Sequence, residues 1–136
     1  MQQALLAHRL AGRCLERRCV IPVAECLFCQ IVQGTLPAQR VYEDAQALAF
    51  SDIRPQAPTH LVIIPKTHVA SLNEVIEPQE KLIGHLMRLA TDLARRQGLQ
   101  QDGYRVVVNC GPDAGQTVAH LHLHLLGGRA MRWPPG

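Results

Sequence analysis

The distribution of hydrophobic and polar positions predicts three strands in the first half of the chain. Residues 40–44 and 46–51 are predicted to form a hairpin joined by an acidic turn. Residues 60–64 make a third apolar run, which a proline ends. The intervening residues 52–59 contain two prolines, and we predict a loop there because proline cannot continue a strand ladder.

The second half of the chain predicts one long helix and two further strands. From Leu82 to Leu93, leucines recur at spacings of four, three and four residues, which is the periodicity of a helix over residues 78–97. Residues 104–109 are rich in β-branched side chains and residues 119–126 alternate, so that each segment predicts a strand. This order of elements indicates an α+β domain with a mainly antiparallel sheet.

Length and charge limit the classes of protein to which the chain can belong. A chain of 136 residues holds one ordinary domain, and none of its apolar runs approaches the roughly 20 residues that span a bilayer. The net charge of +3 comes from residues 1–24, where four arginines face one glutamate. The remaining residues contain ten basic and ten acidic side chains, so we expect neither a nucleic-acid partner nor membrane association.

Residues 1–24 are interpreted as an extension that precedes a domain over residues 25–136. Their basic, amphipathic composition is shared with mitochondrial presequences, and the alternatives are a poorly ordered extension or a start codon placed too early. The five cysteines are an odd number and do not describe a disulfide framework. We therefore expect reduced thiols and an intracellular protein, cytoplasmic unless the extension directs it to mitochondria.

Three histidines, His120, His122 and His124, alternate with leucines near the C-terminus. Alternate side chains of a strand share one face at a spacing of about 7 Å, so the histidines are expected on one face and the leucines in the core. Such a row can chelate a metal or act on a phosphate. Residues 111–117 favour the second interpretation, because this glycine-containing turn offers N–H groups and a hydroxyl to an anion.

The same residues resemble the signature of the histidine triad (HIT) superfamily. Residues 120–126 read His-Leu-His-Leu-His-Leu-Leu, and residues 127–136 are similar to the C-terminus of its Hint branch, the histidine triad nucleotide-binding proteins. Residues 52–60 and 64–66 also resemble Hint segments. The resemblance covers residues 26–136 and implies a HIT-like fold with one long and one short helix, assembled as a two-fold dimer.

The resemblance implies that His122 is a nucleophile that attacks phosphorus and forms a nucleotidyl-histidine intermediate, which water then hydrolyses. In Hint proteins a backbone carbonyl of the same strand holds the proton on the other ring nitrogen of this histidine. His124, Thr117 and nearby backbone N–H groups are the expected donors to the phosphate, although Hint proteins usually have serine in place of Thr117. His60 is interpreted either as a proton relay or as a core histidine. The full catalytic set is His60, Thr117, His120, His122 and His124.

Nucleotide binding is likewise implied by the resemblance. Asp52 is expected to accept hydrogen bonds from the ribose hydroxyls. Apolar residues, each of an ordinary core type, are expected to form the base pocket: Leu27, Phe28, Ile31, Phe50 and Ile53. By position and by resemblance, the backbone N–H groups of Gly115, Gln116 and Val118 are expected near the phosphate. Asn109 is expected near the leaving group or just behind the residues that contact it, and the alternative is a cap at the end of its strand. Trp133 is expected to reach the active site of the partner subunit, as an interface anchor.

Cys26 and Cys29 form a C-x-x-C pair, which is a weak zinc signal because two ligands do not fill a tetrahedral site. Some HIT relatives complete such a site with two histidines, which correspond here to His68 and His120. The resemblance therefore implies that these four residues can hold a structural zinc, and the alternative is a pair of buried, metal-free thiols. His85, on the predicted helix, is expected at the surface.

These features predict an enzyme, a purine nucleoside phosphoramidase of the adenosine 5′-monophosphoramidase type, that requires no cofactor for catalysis. One alternative is a dinucleoside polyphosphate hydrolase, which the Gly-Gly-Arg sequence at residues 127–129 disfavours. A second is a nucleotide-binding interaction protein whose catalysis is incidental. A third is a metalloprotein that uses the alternating histidines as ligands.

Overall fold

The computed structural model describes residues 22–136, so nearly all of the predicted N-terminal extension lies outside the described residues. Within them, neither helix has the length and apolarity that crossing a bilayer requires. The helices and strands are, in chain order, α1 (Leu27–Gln33), β1 (Arg40–Glu43), β2 (Ala47–Ser51), β3 (Thr59–Pro65), α2 (Glu80–Arg96), β4 (Tyr104–Val107) and β5 (Leu123–Gly127).

The five strands form one sheet in the order β1-β2-β3-β5-β4, and all neighbouring strands are antiparallel. The α+β prediction, with one long and one short helix, is therefore confirmed. In this order β3 lies between β2 and the strand that carries the last histidine. The pairing of Val62 with His124 brings the first half of the chain against the histidine segment.

One face of the sheet packs against α2 and forms the larger core. The helix buries Leu86, Leu89 and Leu93, as the leucine spacing predicts, whereas Leu82 is only half-buried. The helix ends where Gly98 adopts a φ of 71°, a left-handed conformation that glycine reaches without strain. Leucines of the histidine segment, such as Leu121, enter this core as predicted.

The opposite face of the sheet packs against α1. Ile31 of this helix lies against buried side chains of β2 and β3, among them Phe50 and Val62. The helix ends at Gly34, which has a φ of 80°. The C-x-x-C pair spans the start of α1, because Cys26 is its N-cap residue and Cys29 lies in its first turn. The short helix therefore brings both cysteines to the face of the sheet on which the histidines lie.

The predicted boundaries of the last two strands are wrong. β5 begins at Leu123, so that His120 and His122 precede the strand, and β4 ends at Val107. The backbone N–H of His120 donates to the carbonyl of Val118, and that of Leu121 donates to Val69, outside the sheet. These backbone groups therefore take no part in the pairing of the strands. The alternation of leucine and histidine along the sequence nevertheless continues through the segment.

Candidate active site

His122 has one ring nitrogen fixed by the backbone. Its Nδ1 lies 2.7 Å from the carbonyl oxygen of His120, which can only accept a hydrogen bond. Nδ1 therefore carries the proton, and Nε2 of the neutral ring keeps its lone pair. The ring also packs edge-on against Phe28 of α1, with 5.2 Å between the centroids. A buried imidazole with a fixed tautomer and a bare Nε2 is suited to act as a nucleophile.

His60 and His124, which we call the His60–His124 pair, form a hydrogen bond of fixed direction. The backbone N–H of Gln56 donates to Nδ1 of His60 at 3.0 Å, so that neutral His60 carries its proton on Nε2. This Nε2 lies 2.8 Å from Nδ1 of His124. His124 therefore accepts at Nδ1 and keeps its own proton on Nε2. Its ring centroid lies 5.0 Å from that of His122, which is closer than the predicted strand spacing.

All the histidines of this site are held neutral. Burial lowers the pKa of His122 below its ordinary 6.5, against the hydrogen bond to the carbonyl of His120, which raises it. Burial, with the neighbouring His122 and His60, lowers the pKa of His124 to about 4. Burial also lowers the pKa of His60, although the carboxylate of Asp52 opposes that shift. Near neutral pH the site therefore presents uncharged imidazoles at His122 and His124.

Asp52 follows β2 and lies beside the His60–His124 pair. Its Oδ1 accepts from the backbone N–H of Arg54 at 2.7 Å, and its Oδ2 is 3.4 Å from Nε2 of His60. The predicted base-pocket residues have different environments. Ile31 and Phe50 are buried in the smaller core and Phe28 is half-buried, whereas Leu27 and Ile53 are exposed. Leu27 and Ile53, which are the chain neighbours of Phe28 and Asp52, therefore present apolar surface to solvent.

In the turn before the histidines, part of the backbone forms hydrogen bonds within the turn. The N–H of Gly115 donates to Pro112 and that of Gln116 donates to Gly111. The side chain of Gln116 bonds to the backbone of Gly111, Ala70 and Val118, and so fixes the turn. Of the four N–H groups predicted to face an anion, those of residues 115–118, only those of Thr117 and Val118 have no backbone acceptor among residues 22–136. The hydroxyl-bearing Thr117 is exposed.

A second cluster, the cysteine–histidine cluster, consists of Cys26, Cys29, His68 and His120, whose ligand atoms all lie within 4.8 Å of one another. The Sγ–Nδ1 distances are 3.3 to 3.5 Å, and the two Nδ1 atoms are 3.2 Å apart. A tetrahedral zinc with ordinary bond lengths separates sulfur from nitrogen by about 3.6 Å and nitrogen from nitrogen by about 3.3 Å. The donor set therefore fits zinc.

The orientation of His120 supports this fit. Its Nε2 donates to the carbonyl of Pro65 at 2.8 Å, so that Nδ1 faces the cysteines without a proton. Burial lowers the pKa of His120 to about 4 and raises that of the Cys29 thiol to about 12. In the absence of a cation the buried thiol keeps its proton, and a metal would have to displace that proton.

The C-terminal segment contacts the loop that supports His60, which the sequence did not indicate. Arg129 donates from Nε to the carbonyl of Gln56 at 2.9 Å. A Cβ on Gly128 would lie 2.9 Å from Pro58 of the same loop, so glycine allows this close approach. Trp133 is 83% exposed, which leaves it available to a partner surface. His85, by contrast, pairs with Asp44 and belongs neither to the His60–His124 pair nor to the cysteine–histidine cluster.

Comparison with known proteins found one family model and several relatives that this chain resembles. The family model described as HIT domain matches residues 33–131. An uncharacterized HIT-like protein of Synechococcus elongatus is 49% identical over 110 residues, which are 81% of this chain and 96% of that protein. The crystal structure of a HIT family hydrolase from Legionella pneumophila is 54% identical, with a TM-score of 0.81, and covers 82% of this chain and 100% of its own.

A third relative bears on the cysteine–histidine cluster. The crystal structure of a zinc-bound histidine triad family protein from Mycobacterium smegmatis is 39% identical, with a TM-score of 0.68. It covers 78% of this chain and 76% of its own. At 54% and 39% identity, both solved structures resemble this chain in sequence as well as in fold.

Proposed function

Because the chain belongs to the HIT domain family, we propose that it is a hydrolase, and specifically a Hint-type enzyme that cleaves nucleoside phosphoramidates to nucleoside monophosphates. The observation that carries the proposal is the 2.7 Å hydrogen bond from Nδ1 of His122 to the carbonyl of His120. It leaves Nε2 as a lone-pair donor in a site whose histidines are neutral.

In the proposed reaction, Nε2 of His122 attacks phosphorus and the phosphorus–nitrogen bond breaks. The electron pair of that bond leaves with the amine, which takes a proton from solvent. The nucleotidyl-His122 carries a positive ring charge, and the carbonyl of His120 stabilises it through Nδ1–H. Water then attacks phosphorus, the bond to Nε2 breaks, and the electron pair returns to the ring with release of a proton.

The proposed role of His124 is to donate from Nε2 to a phosphoryl oxygen. His60 accepts from Gln56 and donates to His124, and so keeps that proton on the outward nitrogen. The backbone N–H groups of Thr117 and Val118, with the Thr117 hydroxyl, complete the donors to phosphate. We assign His60 as a positioning residue and His124 as a catalytic residue.

Nucleoside binding is proposed on the side of β2 and β3. Asp52 keeps Oδ2 available for ribose hydroxyls, and Phe28 with the exposed Leu27 and Ile53 offers apolar surface to a purine. The exposed Trp133 and the position of β4 at the edge of the sheet support a two-fold dimer in which the C-terminal segment contacts the partner. The Hint assignment rests on the resemblance of this segment and on the alternating histidines.

We also propose that the cysteine–histidine cluster holds a structural zinc. The interatomic distances fit a tetrahedral ion, and a zinc-bound relative from Mycobacterium smegmatis is known. His120 links the two sites, because its Nδ1 faces the cluster while its carbonyl accepts from His122. The ion would fix the start of α1 against the segment that presents the nucleophile.

The test measures AMP release from adenosine 5′-phosphoramidate and from lysine-linked AMP. We expect the wild-type protein to release AMP and the His122→Gln variant to lose at least about a thousandfold in kcat/KM, as is typical when a nucleophile is removed. His85→Gln is the matched control, since it removes a histidine that contacts Asp44 instead of the site.

The controls also separate the competing functions. AMP binding by calorimetry shows that each variant is folded and competent to bind. If the wild-type protein bound AMP but released none from either substrate, the hydrolase proposal would fail and a nucleotide-binding interaction protein would remain. Preferential cleavage of diadenosine polyphosphates would instead favour the dinucleoside polyphosphate hydrolase.

A further inference from the structure

The loop between β2 and β3, residues 52–58, contains the N–H group that orients His60, yet few backbone hydrogen bonds hold the loop itself. It is closed at its base, where the N–H of Asp52 donates to the carbonyl of His60 at 3.0 Å. Among residues 22–136, no hydrogen bond between two backbone groups involves residues 53–58. The N–H of Gln56, which donates to Nδ1 of His60 at 3.0 Å, therefore depends for its position on other contacts.

Arg129 of the C-terminal segment supplies such a contact. Its Nε donates to the carbonyl of Gln56 at 2.9 Å, and its Nη1 donates to the carbonyl of Ala130 at 3.0 Å. In the part of the chain that the structure describes, no carboxylate forms an ion pair with this guanidinium. The N–H and the carbonyl of Gln56 flank one Cα and are separated by only two soft dihedral angles. Holding the carbonyl therefore restricts where the N–H can point.

Strand pairing brings the C-terminal segment to this loop. Thr59 of β3 is paired with Gly127 of β5 in the antiparallel sheet, so the residues after Gly127 run past the residues before Thr59. Gly128 has a φ of 89°, and a Cβ there would lie 2.9 Å from Pro58. The backbone of the segment therefore packs directly on the loop, and Arg129 is the first residue after this contact.

The direction of the hydrogen bond within the His60–His124 pair decides whether His124 can donate to a phosphate. With the N–H of Gln56 on its Nδ1, His60 donates from Nε2, and His124 keeps its own proton on Nε2. In the reversed bond His124 would donate from Nδ1, and its bare Nε2 could not donate to a phosphoryl oxygen. Oδ2 of Asp52, 3.4 Å from Nε2 of His60, favours the first direction as well. Displacing Gln56 would therefore shift the balance without fully reversing it.

We propose that Arg129 is a positioning residue: by holding Gln56 in place, it keeps the proton of His124 on the nitrogen that faces the phosphate. The kinetic part of this inference rests on the proposed function, since it needs a nucleoside phosphoramidate as substrate. The effect passes through consecutive hydrogen bonds from Arg129 to Gln56, from Gln56 to His60 and from His60 to His124. It is smaller than the effect of removing His60, because Asp52 still favours the same tautomer.

A double-mutant cycle tests whether Arg129 acts through His60. AMP release from adenosine 5′-phosphoramidate is measured for the wild-type protein, Arg129→Met, His60→Ala and the double variant. Methionine keeps the apolar stem of the arginine and removes its donors. We expect Arg129→Met to lower kcat about fivefold to tenfold, as loss of a hydrogen bond from a charged donor predicts, with little change in KM. In the His60→Ala background the same substitution should change kcat less than about twofold.

Two further variants control for the donor and for the charge. Arg129→Lys keeps one charged donor and should recover part of kcat. Arg88→Met removes an exposed positive charge from α2 and should leave kcat unchanged. An equal loss of kcat on Arg129→Met substitution with and without His60 would overturn the proposal, because a role in folding or assembly lowers the activity of both backgrounds alike.

Heteronuclear NMR of the histidine rings tests the inference without turnover and so separates it from the proposed function. The nitrogen shifts distinguish a protonated ring nitrogen from a bare one, and the spectra of His60→Ala and His124→Ala assign the signals. In the wild-type protein we expect the protons of His60 and His124 on Nε2. In Arg129→Met the Nδ1 and Nε2 shifts of each ring should move toward each other, as mixing of two tautomers requires.

The two proposals can fail separately in this experiment. Ring shifts that are unchanged in Arg129→Met overturn the positioning role, even if the wild-type protein is an active phosphoramidase. Shifts that converge in Arg129→Met and remain unchanged in Arg88→Met support the positioning role, even if the wild-type protein releases no AMP. The absence of AMP release would then refute only the hydrolase.

Discussion

The His60–His124 pair and the cysteine–histidine cluster each bring two histidine nitrogens within hydrogen-bonding distance, yet their protons are arranged differently. In the pair, the N–H of Gln56 directs the proton of His60 toward His124. In the cluster, Nε2–H of His120 donates to the carbonyl of Pro65, so the Nδ1 of His120 carries no proton and faces the Nδ1 of His68. The first arrangement is complete without a ligand, and the second suits a cation.

The difference originates in the backbone. A backbone N–H can only donate and a backbone carbonyl can only accept, so each selects the tautomer of the ring that it contacts. The carbonyl of His120 does the same for His122. Three peptide groups therefore give chemically identical side chains the tautomers that suit the proposed positioning residue, metal ligand and nucleophile.

The largest effect is expected from breaking the cysteine–histidine cluster. Cys29→Ser should abolish stoichiometric zinc binding and lower the free energy of unfolding by about 2 kcal/mol or more, roughly 10 °C in melting temperature. Metal content by mass spectrometry and thermal unfolding measure both effects. Cys110→Ser is the matched control, since this half-buried cysteine lies outside the cluster. Equal metal content and stability in the two variants would refute the zinc assignment.

A smaller effect is expected from breaking the His60–His124 pair. His60→Ala removes the donor to Nδ1 of His124, and we expect kcat to fall about tenfold to a hundredfold with little change in KM. His60→Gln keeps a side-chain amide and should recover part of kcat. Steady-state kinetics on adenosine 5′-phosphoramidate measure kcat and KM separately. A purely structural role would instead lower the folded fraction of both variants with kcat per folded molecule unchanged.

The pH dependence of the wild-type protein sharpens the comparison further. The nucleophile reacts in its neutral form, and burial lowers the pKa of His122, so neutral His122 persists to lower pH than an exposed histidine would allow. We expect kcat/KM to change less than about twofold between pH 8 and the ordinary histidine pKa of 6.5, and to decline only below it. A midpoint at or above 6.5 would contradict the neutral site.

The smallest effect is expected from replacing His85, which belongs neither to the His60–His124 pair nor to the cysteine–histidine cluster. His85 pairs with Asp44 at 2.7 Å, and both side chains are partly exposed. Burial raises the pKa of Asp44, but hydrogen bonds from the backbone N–H groups of Gln46 and Ala47 and from the side chains of His85 and Tyr42 lower it to about 2. We expect His85→Gln to change the free energy of unfolding by about 0.5 kcal/mol and AMP release not at all. Chemical denaturation provides the measurement.

The sequence predicted the fold because its periodicities are strong. Leucine spacing predicted α2, and the alternation of histidine and leucine predicted which side chains enter the core. The start of β5 was predicted too early, because alternation continues through residues 119–122 although their backbone hydrogen bonds leave the sheet. Alternation indicates which side chains share a face, since His120 and His122 are as buried as the leucines between them, and hydrogen bonding determines where a strand begins.

Much of the site depends on contacts that no sequence pattern encodes. The alternating histidines and the C-x-x-C pair stand out in the sequence itself, and the resemblance gave them their expected roles and added Asp52. The tautomers of His60 and His120, however, are set by peptide groups of Gln56 and Pro65, which no pattern marked. The contact of Arg129 with Gln56 joins residues 73 positions apart. The sequence analysis overestimated how many N–H groups of the turn can bind an anion. Those of Gly115 and Gln116 donate to backbone carbonyls within the turn, and the side chain of Gln116 accepts from Gly111.

The most direct test of the central claim is to trap the covalent intermediate. The wild-type protein is mixed with excess adenosine 5′-phosphoramidate and quenched in alkaline denaturant, which preserves phosphorus–nitrogen bonds to histidine, and its peptides are analysed by mass spectrometry. We predict that one AMP group is attached to the peptide containing His122 and that fragmentation assigns it to that residue. AMP release without any adduct, or an adduct on another residue, would contradict the assignment of His122 as the nucleophile.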